Sequence, residues 1–265
     1  CGRQFMLIGY LLFNLPARGQ SSLKEIAPPL PISYTQLRSD TSRLQYLVKV
    51  IGDSLNEGQL TPVLSWSRTG LALAQRNRID TMQGIFLFYI GKAFTYYYNN
   101  YDSAIFYYRQ VLPYFPKPEN NYHLLSLREI MDRYADLGNK DSSLFYVERL
   151  AGIMTTLPAQ HFRKAGLSQN IAVVYQSFGM YRTAIRYFQE AISGHRQQQN
   201  KRGLGITFAN LGELYYSMGD TLRAIQYSRE ALENLKDVNL PFMQTAANIA
   251  DYYSSLGRYD SARFY

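Results

Sequence analysis

The chain repeats itself with a period near 40 residues, and no other feature constrains its fold as strongly. YDSAIFYY at 101–108, KDSSLFY at 140–146 and YDSARFY at 259–265 are variants of one phrase. Aligned on the small residue of that phrase, six copies place Val63, Ala104, Ser143, Ala184, Ala224 and Ala262 at intervals of 41, 39, 41, 40 and 38. Self-similarity at this period marks supersecondary units that cannot bury their apolar faces alone and therefore stack.

A second set of matched positions lies upstream of each small residue. NIAVVYQ at 170–176, NLGELYY at 210–216 and NIADYY at 248–253 align Ala172, Gly212 and Ala250, and three residues later Tyr175, Tyr215 and Tyr253. From this first small residue to the second is 12 positions in those copies and 13 from Gly91 to Ala104, so the repeat beginning near Thr81 carries one inserted residue. Each copy predicts a helical hairpin. Gly138, Gly179, Gly219 and Gly257 fall in the turns, where a missing Cβ permits positive φ, and Asp102, Asp141, Asp220 and Asp260 fall where a carboxylate caps the second helix or complements its dipole. The paired small residues let the two helices approach, the tyrosines fill the space beside them, and this pattern absorbs much of the 15% aromatic content.

The series resembles the tetratricopeptide repeat, whose small residue in the first helix, aromatic three later and alanine in the second are seen in NLGELYYSMGDTLRAIQYSREAL at 210–232. The resemblance is strong from 162 onward and weak before 80, where Val63 and Gly70 stand for the expected alanines. It implies an all-α fold, a right-handed α-solenoid of antiparallel helix pairs over residues 41–265, with about five full repeats and a truncated sixth. The usual period is 34; one near 40 is similar to the longer-helix variant of bacterial signalling and regulatory proteins, including the repeat regions of sensor histidine kinases. The family has no activity of its own and binds peptides or proteins, so the resemblance implies a non-enzymatic scaffold with a protein or peptide partner. Tyr265 falls inside the second helix of the sixth copy, and the native chain is expected to continue.

In this family the first helix of each pair lines the groove, which makes its polar positions the candidates. Asn170, Asn210 and Asn248 recur at one helical position, and a carboxamide can both donate to and accept from a peptide backbone. Along the same face follow Glu213 and Asp251, then Gln176 and Tyr216, while earlier copies contribute Tyr89, Lys92, Tyr96, Arg128 and Asp132. Asparagine can instead tie neighbouring helices together. Arg128, Asn170 and Asn210 do not assemble the lysine and asparagine clamp of chaperone-binding relatives. A second candidate is a basic rim of inter-repeat loops bearing Arg76, Arg78, Lys117, Arg163, Lys164, Arg196, Lys201 and Arg202, suited to an acidic partner or anionic headgroups.

Other chemistries find little support. With 46% hydrophobic residues the chain has ample core material. Cys1 is the one cysteine, and with His123, His161 and His195 it is too scattered for a zinc site, so no metal and no cofactor are expected. No phosphate loop or nucleophile pairing occurs, and Asp132 with Asp136 reads as a helical surface pair. The +8 charge is spread along the chain and no two-residue base code recurs, so no nucleic-acid partner is expected.

The sequence does not begin with methionine, which suggests a fragment. FMLIGYLLFNL at 5–15 would span about 16 Å as a helix, against about 30 Å for a hydrocarbon core, and suits the apolar stretch of a signal peptide. Ala17 and Gly19 supply the small residues before a cleavage site. Residues 1–19 thus read as an export signal, whose removal lowers the charge from +8 to +6, and residues 20–40, with Pro28, Pro29 and Pro31, as a linker. Together with the long repeats and the truncated end, that signal resembles membrane sensor histidine kinases, and the resemblance implies that the repeats are the periplasmic or extracytoplasmic sensory region of a larger protein, membrane-associated only through a segment beyond Tyr265. The alternatives are a freestanding periplasmic assembly scaffold and a cytoplasmic peptide-responsive regulator.

Overall fold

A computed structural model describes residues 30–158 and 161–265. The export signal and the first half of the linker lie outside the described residues. The described residues form thirteen α-helices, one 3-10 turn at Leu112–Tyr114 and no strand. After the single turn α1 (Ile32–Thr35), twelve helices follow as six antiparallel pairs. They are α2 (Asp40–Asn56) with α3 (Val63–Arg76), α4 (Asp80–Tyr96) with α5 (Tyr101–Val111), and α6 (Asn121–Asp136) with α7 (Lys140–Thr156). Then come α8 (Lys164–Ser177) with α9 (Tyr181–Gln197), α10 (Lys201–Ser217) with α11 (Thr221–Asn234), and α12 (Asn239–Ser255) with α13 (Tyr259–Phe264). No described helix is long and apolar enough to cross a membrane.

The helices gather into two compact units, one ending at Thr155 and the other beginning at Thr156. In the first, Leu44, Leu47, Ile51, Val63, Leu64, Phe86 and Ile90 form one apolar cluster, with Trp66 of α3 packed against it. In the second, Ala172, Ala184, Phe188, Leu211, Leu214, Ala224 and Ile249 form another.

The turns close in the way the glycines predict. Gly219 has φ +83°, its amide donates to the Tyr216 carbonyl (2.9 Å), and the Asp220 amide donates to the Tyr215 carbonyl (2.9 Å). These bonds satisfy carbonyls that the end of a helix leaves without partners. The same pair of bonds closes the turns at Gly138, Gly179 and Gly257, each time onto the carbonyl of the aligned tyrosine. The inserted residue of the second pair is absorbed in its turn. There Asn99 takes φ +50°, the Tyr98 amide reaches back five residues to the Ala93 carbonyl (3.3 Å), and the Asn100 amide donates to Phe94 (2.9 Å). The predicted aspartates divide by role. Asp220 caps α11 by accepting from the Arg223 amide (3.0 Å), whereas Asn100 and Asn139 do so for α5 and α7, leaving Asp102 and Asp141 in the first turn beside the helix dipole.

The aligned tyrosines stack rather than merely fill. Every pair from the second to the sixth carries a near-parallel aromatic rung at the same register: Phe94–Tyr107, Tyr134–Tyr146, Tyr175–Tyr187, Tyr215–Tyr227 and Tyr253–Tyr265, with centroids 5.2 to 6.0 Å apart. Three positions earlier, glycine lets the paired helices approach more closely than a side chain would allow in the second and fifth pairs. A Cβ on Gly91 would stand 2.6 Å from the Tyr108 ring, and one on Gly212 would stand 2.3 Å from Ser228 Oγ and 3.1 Å from the Ala224 carbonyl.

Candidate functional site

First helices carry the polar side chains that the sequence singled out, and within each unit the structure shows which of them meet. In the first unit, α4 presents Tyr89, Lys92 and Tyr96, and α6 presents Arg128 and Asp132. Lys92 donates to Tyr96 OH (3.2 Å), and its ammonium lies 4.8 Å from the Tyr96 ring centroid and 5.5 Å from that of Phe88. What joins the two helices is a residue the sequence reading passed over. Glu129, fully buried, accepts through Oε1 from both Lys92 and Arg128. Arg128 also pairs with Asp132 at 3.7 Å, and Arg133, fully buried, pairs with Asp136 at 3.0 Å while lying over the Tyr101 ring. Lys92 and Arg128 keep 16% and 19% of their side-chain surface, so this charge cluster has an exposed cationic lip over a closed carboxylate floor.

The electrostatics follow from burial and neighbours. Burial alone would raise the Glu129 carboxyl, but Arg128, Lys92 and Arg133 outweigh it and hold it at about 2. Asp132 goes the other way: burial pushes it up to about 6 against the pull of Arg128 and Arg133, with Glu129 and Asp136 adding repulsion. Burial, followed by the Tyr122 hydroxyl, raises Tyr89.

In the second unit the asparagines behave unequally. Asn248 of α12 donates to Glu213 Oε1 of α10 (3.1 Å) and accepts from Gln244 Nε2 (3.2 Å), which ties two consecutive first helices together. Asn210 is only 2% exposed, and its Nδ2 has no hydrogen-bond partner among the described residues. Asn170 and Gln176 of α8 are half-buried, and Asp251 is exposed. Tyr216 stacks on Tyr252 at 4.4 Å, and Tyr252, buried and absent from the sequence candidates, is raised by that burial and then by Glu213. Thr207 Oγ1 donates to Gln169 Oε1 (2.6 Å), a further bond between first helices that the reading missed.

The basic-rim residues sit in loops and at helix ends. Arg78 takes φ +54° beyond α3, Arg163 precedes α8, Arg196 lies in the last turn of α9, and Lys201 with Arg202 opens α10. Among the described residues no group of three or more His, Cys, Asp or Glu is placed to hold a metal. The arrangement offers aromatic rings, carboxamides and a partly exposed cation pair, which suits recognition of a polar chain.

Residues 164–237 match the tetratricopeptide repeat family model. No curated protein matches the chain in sequence. Among solved structures, BtubC of P. vanneervenii aligns with TM-score 0.62 at 18% identity over 83% of this chain and 87% of its own. A Rap protein complexed with Competence and Sporulation Factor aligns with TM-score 0.66 at 19% identity, covering 87% of this chain and 65% of that one. NprR in complex with its cognate peptide NprX aligns with TM-score 0.61 at 15% identity, covering 88% and 67%. At these identities the likeness is one of fold.

Proposed function

We infer that this chain of tetratricopeptide repeats is a scaffold that binds a protein or peptide through the polar faces of its first helices, without chemistry of its own. The observation that carries this is the α4–α6 cluster, where Lys92 and Arg128 stay partly exposed above a buried carboxylate that fixes their positions. Fixed donors lose little freedom when a partner's carbonyls or carboxylates arrive, so they contribute affinity that mobile surface lysines do not. The Asn248–Glu213 tie and the Tyr216 ring give the second unit a comparable polar and aromatic face.

The test is selection of peptides from a displayed random library on the whole chain. Binding of the selected peptides by Lys92→Ala with Arg128→Ala, and by Asn170→Ala with Asn248→Ala, is then compared with wild type. A tenfold or greater loss with helical content unchanged supports the reading; equal binding by both variants and wild type ends it.

The finer reading places these repeats outside the cytoplasm as the sensory part of a larger signal-transduction protein. It is supported by the apolar stretch at 5–15 with Ala17 and Gly19 behind it. Residues 1–40 fused to a phosphatase active only after export should give activity, and deleting residues 1–19 should abolish it; an inactive full fusion refutes export. A peptide-responsive regulator is the second reading, favoured by the fold shared with the Rap and NprR structures, both named as complexes with a factor or peptide.

A further inference from the structure

We propose that the edge of the second unit formed by its inter-pair loops docks on an anionic lipid surface, with Phe162 as its apolar contact and the surrounding cations on the headgroups. Antiparallel pairing puts the start of α8, the end of α9, the start of α10 and the α11–α12 loop at one end of the unit. They pack closely there. Gln198 Nε2 donates to the His161 carbonyl (3.4 Å), a Cβ on Gly194 would stand 2.8 Å from that of Ala165, and one on Gly205 would stand 2.5 Å from Leu235 Cγ. Cations spread along the sequence are thereby gathered on one edge.

Charge separates this edge from the opposite one. Arg163 and Lys164 stand at the start of α8, Arg196 in the last turn of α9, and exposed Lys201 and Arg202 in the first turn of α10. Between 163 and 202 the sequence holds one acid, Glu190, about 9 Å along α9 from Arg196. The α11–α12 loop adds no net positive charge, since Lys236 pairs with Glu233 at 3.2 Å and Asp237 follows it. At the other end the turns carry Arg182, Arg223 and Arg258 against Asp220 and Asp260, and Arg223 pairs with Asp220 at 3.3 Å. An anionic surface is therefore drawn to the loop edge.

The apolar side chains decide what kind of anion it is. Phe162, 64% exposed, stands among these cations: His161 stacks on its ring at 5.0 Å, and the Arg163 guanidinium lies 5.0 Å from its centroid. Leu240, 57% exposed, lies in the first turn of α12 on the same edge. An acidic peptide or a nucleic acid would engage the cations and leave the aliphatic Leu240 in water. A bilayer takes both, with phosphates at the cations and apolar groups at the acyl boundary. The contact is peripheral, because no described helix is long and apolar enough to cross a membrane.

Flotation of the whole chain with vesicles of phosphatidylcholine alone, or with about 30% phosphatidylglycerol, in about 0.1 M salt reads this directly. The apolar stretch at 5–15 is common to every form, so the quantity compared is the ratio of partition on anionic to neutral vesicles. That ratio is expected to be about tenfold or more for wild type and to fall in about 0.5 M salt. Lys201→Glu with Arg202→Glu should bring it close to one, whereas Arg182→Glu with Arg186→Glu, the same charge change away from the edge, should alter it less than about twofold. Phe162→Ser with Leu240→Ser, which leaves the charge untouched, should lower partition on anionic vesicles about fivefold or more, with an unchanged helical spectrum. A wild-type ratio near one, equal loss from the two charge reversals, or no loss from the Phe162 and Leu240 replacements would each overturn the proposal. In the last case, polyglutamate or single-stranded RNA bound equally by that variant and by wild type would assign the edge to an acidic chain instead.

Discussion

The two units use one hairpin plan and join their first helices in different ways. From 30 to 155 the link between α4 and α6 is ionic, with buried Glu129 held between Lys92 and Arg128 and with Arg133 and Asp136 beside them. From 156 to 265 the links are bonds of carboxamides and hydroxyls, Asn248 to Glu213 and Thr207 to Gln169. Backbone repetition therefore leaves the interior polarity open. A buried charge stripped of its counter-charge is costly, whereas a donor lost from a half-buried acceptor such as Glu213 or Gln169 costs little, because water can take its place.

Glu129→Ala should break this contrast open most. Removing the carboxylate leaves Lys92, Arg128 and Arg133 short of a counter-charge, at a cost of about 3–5 kcal/mol. Hydrogen exchange should show protection falling in α4 to α6 and holding in α10 to α12; equal loss in both units would mean that the charges do not set the first unit apart.

Asp132 sharpens the comparison through pH. Its folded value, raised from 3.8 to about 6, means that the folded state binds its proton more tightly than the unfolded state. The stability it contributes is present below about 4 and lost as pH rises through about 6. Glu129 has the opposite sign: its contribution is present above 4.5 and lost as pH falls towards about 2. Asp132→Asn should therefore stabilise the chain at pH 7 by up to about 3 kcal/mol, with the gain vanishing near pH 4 in urea titrations. A gain that is the same at both pH values would contradict the burial account.

A steric prediction follows for the helix contacts common to both units. Gly91→Ala and Gly212→Ala each drive a methyl into a close neighbour, and each should cost about 2 kcal/mol by thermal unfolding. Cutting Ser228 to Ala should relieve the second only in part, because the Ala224 carbonyl stays where it is.

The smallest effect is expected from Asn248→Ala, about 1 kcal/mol by urea unfolding, because Glu213 can return to water when its donor is lost. A loss as large as that of Glu129→Ala would erase the distinction between the two interiors.

Much of the fold was legible because its signals are local and repeated. The offset of 12 between small residues set the hairpin, and the extra residue after Gly91 surfaced as the altered turn at Asn99. The site was legible only in part. Lys92, Tyr96, Arg128 and Asp132 were found as polar residues on first helices, and they do meet. Glu129 was not, because within SLREIM it stands next to Arg128 and between buried Leu127 and Ile130, and only the packing of α4 on α6 shows that it faces two cations. The asparagine series was read as one ladder, yet burial separates Asn210 from Asn248, a difference that three identical letters do not carry. Phe106 shows the same limit: hydrophobicity marks it as core, yet it is 59% exposed while its neighbours Ile105 and Tyr108 take the inward positions.

Trp66, the one tryptophan of the chain, packs in α3 against the first unit's apolar cluster, while the stacked tyrosine rungs occur in both units. Light absorbed by indole alone therefore reports on the first unit, and light absorbed by the phenols reports on both. Unfolding of the first unit and unfolding of the whole chain are thereby told apart in one cuvette, without any dye.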